Sequence, residues 1–194
     1  MNLLSIGNNM KLGRKVAVFN LPAGISCVGS TPLCRKLCYA RKAERLYKDS
    51  QPFRVANLAA SQSPGFVEQI VEEISAHNIK RMRWHESGDV YSKAYLSKIF
   101  DVCNQCPNTR FLLYTRSSHL DWSHTPKNLM VYWSQDKTSV RPIPKGGRIA
   151  YMVARGDAVP AGFITCKPGS QHNYCGDSCL RCWKGAPMVY FKQH

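Results

Sequence analysis

The stretch RMRWHESGDVYSKAYLSKIF, Arg81 to Phe100, decides the fold. Arg81 to His85 reads as a short strand, Glu86-Ser-Gly-Asp89 as a polar turn, and the residues from Ser92 as a helix with Tyr95, Leu96, Ile99, Phe100 and Cys103 on its inner side. Strand, turn and helix in that order make one βα unit, and the pattern recurs on both sides. Lys15 to Pro22 reads as an earlier strand, and a helix begins near Ser63-Pro64 with a core stripe of Phe66, Val67, Ile70, Val71 and Ile74. Downstream, Phe111 to Thr115, Leu129 to Trp133, Ile149 to Val153 and Phe163 to Thr165 are apolar strands joined by Pro/Gly-rich connections too short for full helices. The alternation predicts an α/β fold: a partial (β/α) barrel or curled parallel sheet with Cys-rich loops.

Size and composition set the frame for that unit. A chain of 194 residues with 44% hydrophobic content suits one buried core, so residues 1–194 are read as a single domain with a Cys-rich C-terminal segment at 166–194. The sequence has no apolar run of membrane-spanning length, and its start lacks an apolar core of signal-peptide length. The expectation is a cytoplasmic protein with no membrane partner. Lys plus Arg number 27 against 12 Asp plus Glu, a formal charge of +15. Such a balance attracts polyanions, nucleic acid first, and a generally basic surface accounts for the same count. Between residues 35 and 48 an exposed helical face carries Arg35, Lys36, Arg41, Lys42, Arg45 and Lys48 beside Tyr39 and Tyr47, a mixture that suits phosphate contact with base stacking as well as plain solvation.

The nine cysteines are unevenly spread, and seven fall in two groups. In a reducing compartment this clustering points to metal rather than disulfides. Cys27-x6-Cys34-x3-Cys38 follows the first strand, and Cys175-x3-Cys179-x2-Cys182 lies near the end with Cys166 upstream as a fourth thiol. Three thiols at irregular spacing do not make a closed zinc knuckle, whereas gaps of two and three residues are common in iron–sulfur loops. The spacing therefore favours one or two 4Fe-4S clusters, with zinc as the less favoured metal. Cys103 and Cys106 sit at a helix C-terminus on the apolar stripe and read as packing residues. Trp183 follows the last thiol and reads as a shield against water or as core.

Functional groups in parallel α/β folds gather where strands end. His85, Glu86 and Asp89 fall at such an end and could act as acid/base groups or ligands, or as turn and capping residues. Arg116 falls at the next, and either binds a carboxylate or phosphate or pairs with Asp136. Cys166 leaves the last strand of this reading on the same edge as the first cysteine loop. On that basis the C-terminal thiols are expected to be the lid or second half of one composite site, or to hold a second cluster.

Two resemblances follow from these residues. The blocks LPAGISC, LCRKLCYA, HESGD with Tyr95, YTRS, CLRCW and the Gly7-Asn8 and Lys11 start resemble the gene product eighty-eight family of phage and mobile-element proteins, across almost the whole chain. More distantly, Cys38-Tyr39 after the first strand is similar to the layout of radical SAM enzymes, whose cluster-binding cysteines follow strand one of a partial barrel. That superfamily's usual C-x3-C-x2-C spacing occurs here at 175 to 182 instead. The likeness implies S-adenosylmethionine as a further cofactor, with Ser87 and Gly88 beside Asp89 contacting it. Together these readings predict a 4Fe-4S protein of phage or mobile-element origin in the host cytoplasm, either a radical-SAM-like enzyme acting on an anionic substrate or a metal-stabilised basic module that binds nucleic acid or a host protein.

Overall fold

The computed structural model describes residues 2–7, 9, 11–166 and 174–193, so Asn8 of the family-like start and residues 167–173 of the Cys-rich segment lie outside the described residues. Eight strands form one sheet: β1 (Ser5–Ile6), β2 (Val16–Phe19), β3 (Arg81–Trp84), β4 (Arg110–Thr115), β5 (Leu129–Gln135), β6 (Arg148–Val153), β7 (Ile164–Thr165) and β8 (Met188–Lys192). Their order is β1-β2-β3-β4-β5-β6-β8-β7. Only β1 runs antiparallel to its neighbour; every other pairing is parallel. The sheet is therefore an open, mostly parallel one in which neighbouring strands follow chain order from β2 to β6.

Five helices complete the α/β architecture: α1 (Pro32–Lys36), α2 (Tyr39–Leu46), α3 (Ser50–Gln62), α4 (Phe66–Ala76) and α5 (Lys93–Gln105). All five fall in the two early crossovers. The β4 to β5 and β5 to β6 connections contain no helix, as their Pro/Gly-rich sequence predicts.

The two faces of the sheet are covered by different material. Ala17, Phe19, Met82, Trp84, Phe111, Leu113, Leu129, Val131 and Trp133 point one way and join Phe66, Ile70, Ile74, Tyr95, Leu96, Ile99 and Val102 of α4 and α5 in the larger core. The alternate residues Val16, Val18, Leu112, Tyr132, Ala150 and Val189 point the other way, as period-2 geometry requires. They pack under Leu12, Cys182 and Trp183. The second face is thus covered by the C-terminal Cys-rich segment, without a helical layer.

Several elements depart from the sequence reading for local reasons. The basic helix expected across 35–48 is two helices, because Cys38 takes an extended conformation (φ −65°, ψ 107°) and caps α2. Thr31 starts α1 by accepting the Cys34 amide at 3.0 Å, with Pro32 in the first turn. Ser63 closes α3 instead of opening α4: the residue before Pro64 is forced extended (φ −68°, ψ 154°), and its hydroxyl donates to the Ala60 carbonyl at 2.7 Å. The helix α3 carries no clean apolar stripe, which is why its periodicity escapes notice. Finally, β8 inserts between β6 and the edge strand β7, so the Phe163 to Thr165 region borders the last strand in sequence and is not itself that strand.

Candidate functional site

The parallel strands bring their C-terminal ends to one edge, and the loops that leave them are stitched together. Asn20, just after β2, accepts the Glu86 amide at 2.8 Å and the Ser87 amide at 3.0 Å through Oδ1, while the Leu21 amide donates to the Ser87 carbonyl at 3.0 Å. Gly88 sits at φ +85°, and a Cβ there would lie 2.5 Å from the Leu21 Cβ and 2.6 Å from the Ser26 Oγ. Glycine is required at this position by both its backbone angle and its neighbours.

Within the HESGD turn the polar groups are mostly buried. His85 is 3% exposed and holds an uncommon positive φ of 59°. Its Nε2 pairs with the Tyr95 hydroxyl at 2.8 Å, while its Nδ1 has no partner. Burial, helped by the Arg83 charge, pushes its pKa down to about 3, so the ring is neutral at neutral pH. Asp89 accepts three hydrogen bonds: Val90 N–H at 2.7 Å and Thr115 hydroxyl at 2.6 Å on Oδ1, and Arg116 N–H at 2.9 Å on Oδ2. Burial nonetheless pushes its carboxyl up to about 6. The cap of α5 is Ser92, which accepts the Tyr95 amide at 3.1 Å. Asp89 therefore ties the end of β3 to the end of β4. Ser87 Oγ is buried with no partner. Glu86 is half-buried, bonded through Oε1 to the Asn9 amide, and its carbonyl accepts the Tyr39 hydroxyl.

The first three thiols lie above this turn. Burial pushes Cys27 up to about 11, with Asp89, Cys34 and Cys38 adding to the rise against a 3.4 Å hydrogen bond from the Gly24 amide. Burial raises Cys34 as well, and the adjacent Arg116 charge opposes it. Arg116 pairs with Asp136 at 2.9 Å, which favours the structural alternative for this residue and leaves the guanidinium beside a thiol. Asp136 also accepts the Thr31 hydroxyl at 2.6 Å and the Thr138 amide and hydroxyl at 2.8 and 2.6 Å. Burial works against that carboxylate, but these bonds and the Arg116 charge hold its carboxyl below the usual range. The cap of α1, the Asp136 carboxylate and the Arg116 guanidinium thus form one network around Cys34.

Cys166, Cys175, Cys179 and Cys182 make a second group on the inner face of the sheet. Burial pushes Cys166 up to about 12, and Cys182, Cys175 and Cys179 push the same way. Burial likewise lifts Cys182 to about 11, with Cys175 and Cys179 adding to it. The Cys175–Cys179 segment forms a single π-type turn docked on the chain before β2, where the amides of Cys175 and Gly176 donate to the carbonyls of Lys11 and Leu12 at 3.0 and 2.9 Å. A Cβ on Gly176 would fall 2.0 Å from Val16 Cγ2, so the turn seats only because that side chain is absent. The Trp183 indole is 4% exposed. Burial raises Cys175, while Arg83 and the Trp183 indole oppose the rise.

Cys34 and Cys38 are near Cys27, and Cys175, Cys179 and Cys182 are near Cys166. Three of the thiols lie in the loop and helices after β2, and Cys175 and Cys182 pack on the inner face. Arg83 lies near Cys175 of the second group and near Tyr39, which follows Cys38 of the first. Its guanidinium lies 4.7 Å from the Tyr114 ring centroid, its Nε is buried without a partner, and among the described residues it makes no ion pair. Burial works against its charge, yet Tyr39, Glu86, Tyr114 and Cys175 around it hold its pKa above the usual value. The sequence reading passed over Arg83; the available signal was a basic residue inside a short strand flanked by apolar ones. Cys103 and Cys106 are buried packing residues, 0% and 8% exposed.

Among the described residues, no three Cys, His, Asp or Glu side chains converge closely enough to hold a metal ion. A single tetrahedral zinc would need its sulfurs about 3.8 Å apart, from Zn–S bonds of about 2.3 Å. A cluster of several irons spreads its thiolates further. Three and four cysteines are donors that suit a soft metal ion or an iron–sulfur cluster. Among the described residues no helix is long and apolar enough to cross a membrane.

The model of the family described as Gene product 88 matches residues 2–186. The Gene 88 protein of Mycobacterium phage L5 is 26% identical over 203 residues, covering 91% of this chain and 84% of that protein. That of Mycobacterium phage D29 is 26% identical over 207 residues, covering 91% and 85%. No solved structure matches the chain.

Proposed function

The chain belongs to the Gene product 88 family, and from that premise we propose that it is an iron–sulfur protein with two sites of different character. Cys27, Cys34 and Cys38 hold a 4Fe-4S cluster at the strand ends, and Cys166, Cys175, Cys179 and Cys182 hold a second on the inner face. The observation that carries this reading is the placement of Cys27, Cys34 and Cys38 in the loop and helices after β2, and of Cys175, Cys179 and Cys182 in the turns before β8. Three thiolates leave one iron open, while four close the coordination shell.

The finer reading is a radical-SAM-like enzyme acting on an anionic substrate, supported by the chain-ordered parallel strands and by a three-thiol loop after β2. With S-adenosylmethionine on the open iron and an external reductant, such a cluster supplies reductive cleavage of a carbon–sulfur bond. The residues around it have separable tasks. Ser87 Oγ, buried and unpartnered, is free to hydrogen-bond a polar ligand group. Gly88 holds the turn open, Asp89 positions the Arg116 backbone, and the Arg116 side chain offsets thiolate charge at Cys34. His85 is a neutral positioning residue and Glu86 the more accessible acid/base group. Trp183 excludes water from the four-thiol group. In a host cytoplasm these thiols stay reduced and available to metal.

The test is purification without oxygen followed by iron, sulfide and zinc analysis and a visible spectrum. Iron and sulfide at up to eight each per chain, on the order of two 4Fe-4S clusters, with a broad charge-transfer band are expected. A colourless protein with stoichiometric zinc would falsify the iron–sulfur reading. If iron is present, failure to bind S-adenosylmethionine or to release 5′-deoxyadenosine with reductant removes the finer one.

A further inference from the structure

We propose that the outer face of α1 and α2 is a binding surface for single-stranded nucleic acid, laid beside the three-thiol loop. The proposal rests on surface chemistry and stands whether or not a metal is bound. Between Pro32 and Lys48 the chain has six basic residues, Arg35, Lys36, Arg41, Lys42, Arg45 and Lys48, and all six are exposed. Among the described residues none of them joins an ion pair. The one acid in the stretch, Glu44, is turned inward, where it accepts the Ala23 amide at 2.9 Å and pairs with Arg54 at 2.9 Å. The fold thus turns Glu44 inward and leaves the positive charges in solvent, with the exposed Asp49 just beyond Lys48 at the end of the face.

Aromatic groups interleave with those charges. Tyr39 is 53% exposed and Tyr47 67%. The Tyr39 hydroxyl is tied to the Glu86 carbonyl, which fixes the ring while leaving part of it open. Cations that track phosphates beside exposed rings that stack bases are the two components of single-strand recognition. A lipid surface fits less well: Ala40 packs inward at 3% exposed, and Leu46, which α2 leaves 65% exposed, stands beside the charges of Arg45 and Lys48. An acidic peptide would use the cations but not the exposed rings. Cys34 and Cys38 bracket the junction of the two helices, so a strand bound here passes directly over the first thiol group.

The test is fluorescence anisotropy on the full chain purified without oxygen, with labelled DNA and RNA single strands of about 20 nucleotides, the matching duplex, and anionic vesicles. Single strands should bind, with the logarithm of affinity falling with log salt by about 0.7 per phosphate contact. The triple variant Lys42→Gln, Arg45→Gln, Lys48→Gln should flatten that slope by about 2. A control with the same loss of charge elsewhere, Arg110→Gln, Lys127→Gln, Lys145→Gln, removes exposed residues only and should leave the slope unchanged. Tyr47→Ala should weaken binding about tenfold without changing it. Equal effects of the two triple variants would reduce the site to general charge and overturn the proposal. So would duplex binding as tight as single-strand binding, capture by vesicles alone, or no binding at low salt.

Discussion

The two thiol groups are built on opposite plans. Cys27, Cys34 and Cys38 sit half-buried in a loop and two short helices, with ionic side chains, Arg116, Asp136 and Asp89, as their close neighbours. Cys166, Cys175, Cys179 and Cys182 lie against the sheet, with the rings of Tyr114, Tyr132 and Trp183 as theirs. A loop that exposes its backbone can admit a ligand and adjust, while a turn clamped by two backbone hydrogen bonds to residues 11 and 12 cannot. In the proposed iron–sulfur reading, three thiols would leave a position open and four would close the shell.

The sharpest break of this comparison is to remove one thiol from each group. Metal binding can supply on the order of 10 kcal/mol of folding energy to a small site, so these are the largest expected effects. Cys27→Ala should lose about half the iron and leave a folded protein. Cys179→Ala should lose the other half and lower thermal stability as well, because the segment that carries it packs over the inner face. Loss of all iron in either variant would restore the single composite site.

Next in size is a pH effect seated under the first group. His85 is held neutral with a pKa of about 3, against about 6.5 in an unfolded chain. Between those values the unfolded state binds the extra proton, so stability is complete above pH 6.5 and falls as pH drops toward 3. The full span is worth roughly 5 kcal/mol, and it should appear in urea melts at stepped pH. His85→Gln should flatten the profile in that window; an unchanged slope would place the acid sensitivity elsewhere.

Arg116→Gln acts on the first group alone. It strands the Asp136 carboxylate, whose side chain is 0% exposed, and should cost about 3 kcal/mol in chemical denaturation. It should also make the first cluster more labile to chelator than the second. Gly176→Ala is the counterpart for the second group: its methyl would collide with Val16, for about 2 kcal/mol and a preferential loss of the inner-face iron. The smallest change in stability is expected from Arg83→Gln, which removes a cation beside Cys175. Iron content should hold, and the midpoint potential of the second cluster should move to more negative values. A potential unmoved by that charge would separate Arg83 from the metal.

The legibility of the molecule tracks how local each signal is. The strands β3, β4, β5 and β6 and the helices α4 and α5 were readable because apolar residues recur at the period of the element that buries them. The strand β8 was not, since MVYFK follows a Cys-rich turn and its place between β6 and β7 depends on a pairing with distant residues. The helix α3 was missed because Asn57 and Ser61 occupy its buried side: Asn57 donates to the Leu3 and Asn20 carbonyls, a use that no periodicity reports. Asp89 and Arg116 were visible as candidates, but their partners Thr115 and Asp136 come from other strand ends, so their division of labour was not.

The sequence by itself determined the alternating α/β order, the two clusters of cysteines, the positive charge and the blocks that place the chain in its family, because each is a matter of spacing or composition along the chain. Tertiary structure alone decided that the second cysteine group meets the inner face, that Arg83 lies near Cys175 with no ion pair among the described residues, and that Glu44 turns inward to Arg54. Each of those facts depends on which face of a strand or helix meets which distant segment, and that is settled only when the whole core packs.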